Sequence, residues 1–349
     1  MQSFFQTFLV LLLFFFSSSF SIAQEAISPS SKIFYAKKSP KLIVRSSKVM
    51  VVNQDSGKVI YQKNAYSKAP IASLTKLMTA MVIIDSGIDL NAKVKISKLD
   101  IDRLKWTGSR ITIGTKLSRF QLLKISLMSS DNRAASALSR SYPSGKNGFI
   151  KAMNIKALQL GMHNSKFKDP TGLDKRNIST ARDLVRMVGA AYQYPLIRKM
   201  TTTVSGKVRV GRKKQSIGFM NTNSLVRKGQ WNIGLSKTGF IREAGRCLVM
   251  QTVINNQAVI MVLLNSYGKY TRIADAKRIR RWMEESLTIK NKVTKSPVIK
   301  NLKSALSSLN TYLKISTPAP MNQKNISYLM PGLPVDLLFY YLLYRYDLL

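Results

Sequence analysis

The chain holds one cysteine and one histidine in 349 residues. With Cys247 alone, no intramolecular disulfide can form. Its flanks, CLVMQTVI, read as a buried strand, so the thiol is expected to act as a small core group. His163 stands in the polar turn GMHNS with no second histidine in the chain. Neither a metal site nor a Ser-His-Asp triad is expected on it, and no cofactor is expected elsewhere. Acidic residues are scarce as well. There are 16 Asp+Glu against 56 Lys+Arg, a formal net charge of +40, so the surface must attract polyanions. The basic residues are spread along the chain, with short clusters at Arg209, Arg212, Lys213, Lys214 and at Lys277, Arg278, Arg280, Arg281. No aromatic-interleaved or zinc motif accompanies them, which argues against nucleic acid as the main partner. Apolar runs long enough to span a bilayer are missing too. Phe8 to Phe16 is too short, and so is the run in the terminal PVDLLFYYLLYRYDLL.

What is present fits a folded chain. It is 45% hydrophobic and 21% charged, and long enough for a sizeable core. The apolar run near the start is followed by small residues ending in Ser21-Ile22-Ala23, a cleavage-like site. Residues 1–23 therefore read as a secretory leader, although its first segment lacks Lys and Arg, and the mature chain is expected to begin near Gln24 in the periplasm. Export favours an anionic cell wall or membrane surface as the electrostatic partner.

Residues 24–43 read as an extended lead-in. Lys48–Asn53 and 58–62 have strand character and flank Gln54-Asp-Ser-Gly57, a hairpin signal. A helix fits Ser73 to Asp85, closed by Gly87. From about residue 89 to 200 the pattern is mostly helical, including 148–160 and 180–192, the latter with Thr180 as N-cap. After Lys237 it turns to strands: 247–254 and 258–264 flank Asn255-Asn256, a type I′ turn signal, and a helix over 275–287 follows. The order strands, helix, helical block, strands, helix predicts an α+β fold. Its antiparallel sheet is drawn from both ends of the chain, with a helical region inserted. Residues 44–290 are expected to be the catalytic domain and 291–349 a C-terminal extension with no assigned structure.

IASLTKLM, residues 71–78, places Ser73 three residues before Lys76, on one face of a helix start. A serine hydroxyl needs a neighbouring base to act as a nucleophile. Ser-x-x-Lys is a weak pattern, since Ser165–Lys168 and Ser266–Lys269 also match it. Only the Ser73 copy is followed in order by Ser130-Asp131-Asn132 and Lys237-Thr238-Gly239. That ordered triple is the signature of penicillin-binding proteins and class A β-lactamases.

IASLTKLMTAMVIID, LMSSDNRAASAL, DPTGLD, NTNSLV, WNIGLSKTGF and AGRCLVMQTVINN resemble the exported D-alanyl-D-alanine endopeptidases, a branch of the low-molecular-weight penicillin-binding proteins. The likeness runs from about residue 40 to 285. It implies a DD-peptidase/β-lactamase-like fold, a five-stranded antiparallel sheet flanked by helices, and cleavage of D-alanyl cross-links in peptidoglycan stems. By the same resemblance, Ser73 is acylated, Lys76 takes its proton and Ser130 relays a proton to the leaving amine. Asn132 holds the substrate amide, while Lys237 and Thr238 anchor its carboxylate. Gly239 admits the substrate backbone, and the N–H groups of Ser73 and Phe240 form the oxyanion hole. β-Lactams are implied as acylating inhibitors.

Three other readings stay open: a D-alanyl-D-alanine carboxypeptidase, a β-lactamase and a non-catalytic envelope-binding protein. From Arg133 to Ser236 the chain has no glutamate, only Asp169, Asp174 and Asp183. The deacylating glutamate of a class A β-lactamase is thus missing, and a long-lived penicilloyl adduct is expected.

Overall fold

The computed structural model describes residues 41–210 and 215–294, together with 304, 307 and 308. The expected leader, most of the lead-in, the basic turn with Arg212, Lys213 and Lys214, and nearly all of 291–349 lie outside the described residues. Lys41–Glu284 form one compact unit.

Strands β1 (Lys48–Asn53) and β2 (Val59–Lys63) open it. Asn53 Oδ1 accepts from the N–H groups of Asp55 and Ser56, which folds the expected hairpin turn back on itself. A short β3 (Ala69–Pro70) and a 3-10 turn (Ala72–Leu74) lead into helix α1 (Thr75–Asp85). There follow β4 (Lys93–Lys95), β5 (Lys116–Ser118), α2 (Arg119–Met128), α3 (Asn132–Arg140) and α4 (Gly145–Gln159). Next come β6 (Ile178–Ser179), α5 (Ala181–Tyr192), α6 (Pro195–Thr202), and the hairpin of β7 (Ser205–Val210) and β8 (Gln215–Met220). After these come α7 (Ser224–Lys228), β9 (Ile233–Ile241), β10 (Gly245–Ile254), β11 (Gln257–Ser266) and α8 (Thr271–Thr294).

The main sheet is antiparallel, in the order β2-β1-β11-β10-β9. Both ends of the chain build it, as the segment order predicts. The strand period of two divides its side chains between two cores. Met50, Val52, Val249, Ile260 and Val262 face the helical region. Val49, Val51, Leu248, Met250, Met261 and Leu263 face the other way, against Ala276, Ile279 and Met283 of α8. With both faces covered, β10 and β11 read as near-continuous apolar runs. A one-residue slip in either would exchange the two cores, so the register is fixed by burial. Cys247 is fully buried on the first face, and burial lifts its thiol pKa to about 11.

Helix α1 runs through the middle of the larger core. Every residue from Thr75 to Ile83 is buried, which suits a sequence apolar nearly all round. This helix carries the site. The helix expected from Ser73 begins two residues later, because Ala72 takes a left-handed φ of +48° and the chain enters through a 3-10 turn. A second difference concerns Lys237-Thr238-Gly239. It was expected to precede the strand-rich stretch, yet it lies inside β9, which starts at Ile233.

Candidate active site

Ser73 sits in the 3-10 turn at the mouth of α1, and Lys76 one turn later. Lys76 Nζ donates to Ser73 Oγ (2.8 Å), to Asn132 Oδ1 (2.7 Å) and to the carbonyl of Thr171 (2.7 Å). The side chain is fully buried. Burial pulls its pKa down to about 7, against the opposing pull of Asp169, Asp131 and Asp102. An ordinary lysine, at 10.5, would be neutral in only about one molecule in 3,000 at neutral pH. Near 7, about half the molecules carry a lysine able to accept the serine proton.

Ser130 and Asn132 stand at the start of α3. Asp131 is its N-cap, accepting from Ala134 N at 2.9 Å. Ser130 has φ +63°, a left-handed conformation that costs a non-glycine residue roughly 1–3 kcal/mol. Ala72, next to Ser73, carries the same kind of strain. The turn at Ser130 aims its hydroxyl across the cleft, where Lys237 Nζ donates to it at 2.8 Å. Lys237 is buried too, and burial, the charge of Lys76 and that of Arg272 hold its pKa well below the usual lysine range. Thr238 Oγ1 donates to Thr222 Oγ1 at 2.7 Å. Gly239 lies against the Ser73 backbone: a Cβ there would stand 3.0 Å from Ser73 N. Phe240 follows on β9, an edge strand, half exposed beneath the Arg246 guanidinium.

Hydrogen bonds thus join Ser73, Lys76 and Asn132 in one network and Ser130 with Lys237 in a second, and the charge of Lys76 acts on Lys237; Thr238, Gly239 and Phe240 follow Lys237 on β9. Several partners were not picked out from sequence. Asp169 accepts from Thr171 N, Thr171 Oγ1, Gly172 N and Asp174 N, and so ties the DPTGLD loop into the shape that offers the Thr171 carbonyl to Lys76. Asn177 locks this loop to α1 by donating to Thr75 Oγ1 and to Asp169 O. Arg272 has buried Nε and Nη1 atoms with no hydrogen-bond partner among the described residues, and its charge acts on Lys237. A recess of about 330 Å³ opens beside Asn132 and Thr171. Among the described residues, no carboxylate bonds to Ser73 or Lys76. Asp169 and Asp131 are taken up by their own loop and helix cap.

Residues 35–268 match the family model described as D-alanyl-D-alanine carboxypeptidase, peptidase family S11. The D-alanyl-D-alanine endopeptidase of Pseudomonas aeruginosa is 48% identical over 239 residues, 68% of this chain and 77% of that one. The D-alanyl-D-alanine endopeptidase of Escherichia coli K12 is 46% identical over 241 residues, 69% and 78% of the two chains. The crystal structure of the Streptomyces K15 DD-transpeptidase superposes with a TM-score of 0.65 at 29% identity, covering 69% of this chain and 98% of that one.

The chain belongs to the S11 family of serine DD-peptidases.

Membership implies peptidoglycan peptides as substrates, β-lactam binding and a cell-wall setting. If Lys76 is the base for acylation, its lowered pKa sets the pH dependence. Only neutral Lys76 can accept a proton, and its fraction rises with pH through about 7. The rate of acylation by benzylpenicillin should therefore climb nearly tenfold per pH unit on the acid side and level off above about 7. A time course of fluorescent-penicillin labelling across this range checks it. A limb centred near the ordinary lysine value would contradict it.

Proposed function

We propose that this protein is an exported, penicillin-sensitive DD-endopeptidase that opens D-alanyl cross-links of peptidoglycan through an acyl-enzyme on Ser73. The observation that carries the reading is the buried Lys76, bonded to Ser73 with its pKa near neutral. Neutral Lys76 takes the serine proton as Oγ attacks the D-alanyl carbonyl. The N–H groups of Ser73 and Phe240 receive the oxyanion. Ser130, bonded to Lys237, passes a proton to the leaving amine. Asn132 holds the substrate amide. Lys237 and Thr238, with Arg272, whose Nε and Nη1 have no hydrogen-bond partner among the described residues, anchor the substrate carboxylate. An arriving carboxylate opposes the burial and the neighbouring positive charges that lower the Lys237 pKa. Water then releases the acyl group.

In this reading residues 44–290 are the catalytic domain. Residues 1–23 direct export to the periplasm, and the +40 charge holds the enzyme on anionic wall or membrane. The preference for cross-links is supported by identities of 48% and 46% to two endopeptidases. The family description supports carboxypeptidase action instead. Digestion of cross-linked dimeric muropeptides and of monomeric pentapeptides, side by side, separates the two. Dimer cleavage is expected. D-Alanine release from monomers without dimer cleavage would overturn the endopeptidase reading.

A further inference from the structure

A segment outside the three motifs is wired into Lys76. Asp102 gathers the turn that follows it: Oδ1 accepts from Leu104 N (2.8 Å) and Lys105 N (3.1 Å), and Oδ2 accepts from Thr107 N (2.9 Å) and Thr107 Oγ1 (2.7 Å). Thr107 Oγ1 in turn accepts from Asn132 Nδ2 at 2.8 Å, while Asn132 Oδ1 accepts from Lys76. Two further contacts anchor the segment. Ser109 Oγ donates to Asp131 Oδ2 at 2.8 Å, and Lys105 pairs with Glu243 in the turn between β9 and β10.

The direction of this chain of bonds follows from counting protons. A carboxylate only accepts, so the one hydroxyl proton of Thr107 is committed to Asp102. Thr107 can then only accept from Asn132, which requires the NH2 end of the amide to face it. The carbonyl end is left facing Lys76. A neutral lysine has two N–H bonds and one lone pair. With the carbonyls of Asn132 and Thr171 taking the two N–H bonds, the lone pair is left for the Ser73 hydroxyl. A flipped amide would donate to that lone pair and occupy it.

We propose that Asp102 and Thr107 are positioning residues for acylation, fixing the Asn132 amide so that Lys76 turns its lone pair to Ser73. This rests on the acyl-enzyme reading above. The charged groups acting on Lys76 are Asp169 before β6, Asp131 at the cap of α3, Asp102 in this segment and Lys237 on β9. Asp102 raises the Lys76 pKa, and so does a carbonyl rather than an amide N–H at its side. Breaking the relay therefore has two signatures: a lower plateau rate, and an acid limb moved to lower pH.

The test measures acylation by fluorescent penicillin from about pH 5 to 9, with thermal melting, on the whole protein and its Asp102→Asn, Thr107→Val and Thr107→Ser variants. Thr107→Val should lose roughly tenfold or more of the plateau and show the shifted limb, whereas Thr107→Ser should restore both. Asp102→Asn can donate to Thr107, which reverses the chain of bonds, so it should resemble Thr107→Val. A wild-type profile in Thr107→Val, a lowered plateau with an unmoved limb, or a serine variant as poor as the valine would each overturn the proposal. If Thr107→Val does not fold, the isosteric Asp102→Asn decides by the plateau alone, since loss of its charge moves the limb in any case: a wild-type plateau overturns the proposal. Absence of label on Ser73 in the wild type would overturn the acyl-enzyme reading and this proposal with it.

Discussion

Replacing Lys76 with methionine is expected to slow acylation by benzylpenicillin about a thousandfold or more while leaving the protein folded. The side chain keeps its length and loses its base. Two effects on stability oppose each other. Removing a fully buried amine removes its desolvation cost, the same cost that brings its pKa near 7. Against that, Asn132 Oδ1 and the Thr171 carbonyl lose a donor, at about 1–3 kcal/mol each if left dry. The melting temperature should therefore move by only a few degrees. Labelling time courses paired with melts check this. A methionine variant within about tenfold of wild type would remove Lys76 from the proton path.

Gly172→Ala should damage both stability and activity. Gly172 has φ +83°, and a Cβ there would stand 1.8 Å from the Ala72 carbonyl oxygen and 2.9 Å from Ser73 N. Neither neighbour is a flexible side-chain end. The Ala72 carbonyl also accepts from Thr75 Oγ1, so it cannot turn away freely. Backbone strain and overlap together should cost roughly 2–5 kcal/mol, and the displaced Ser73 should lose at least about a hundredfold in acylation. Gly87 supplies the control. It has φ +66° but nothing within 4 Å of a Cβ, so Gly87→Ala should cost only about 1 kcal/mol and leave labelling intact. Equal behaviour of the two variants would show that the close approach of the DPTGLD loop to Ser73 is unimportant.

The parts of this enzyme that sequence reveals are those where residue type and spacing carry the physics. Near-continuous apolar runs bounded by turn signals make β1, β10 and β11 readable, and Asn255 and Asn256 do take the positive φ of the expected turn. The order of the three motifs singled out Ser73 from three Ser-x-x-Lys matches. The start of β9 was not readable, because Gly234, Lys237 and Gly239 are poor strand formers. Tertiary packing overrides that preference. A Cβ at Gly234 would meet the Gln251 side chain at 2.2 Å, and one at Gly239 would press on Ser73 N. The Thr171 carbonyl is a backbone atom with no residue signature of its own. Arg272 is one of 56 basic residues, and only its unpartnered burial near Lys237 sets it apart. Thr107 lies 25 positions from Asn132 in a stretch without periodicity, so only the fold could join them.

Peptide mapping by mass spectrometry after brief exposure to benzylpenicillin tests the central claim most directly. The account predicts one penicilloyl adduct on the peptide that contains Ser73, absent from Ser73→Ala. It should persist after the excess drug is removed, since no carboxylate among the described residues is placed on Ser73 to deacylate it. No adduct, an adduct that does not depend on Ser73, or rapid turnover of the drug would contradict it.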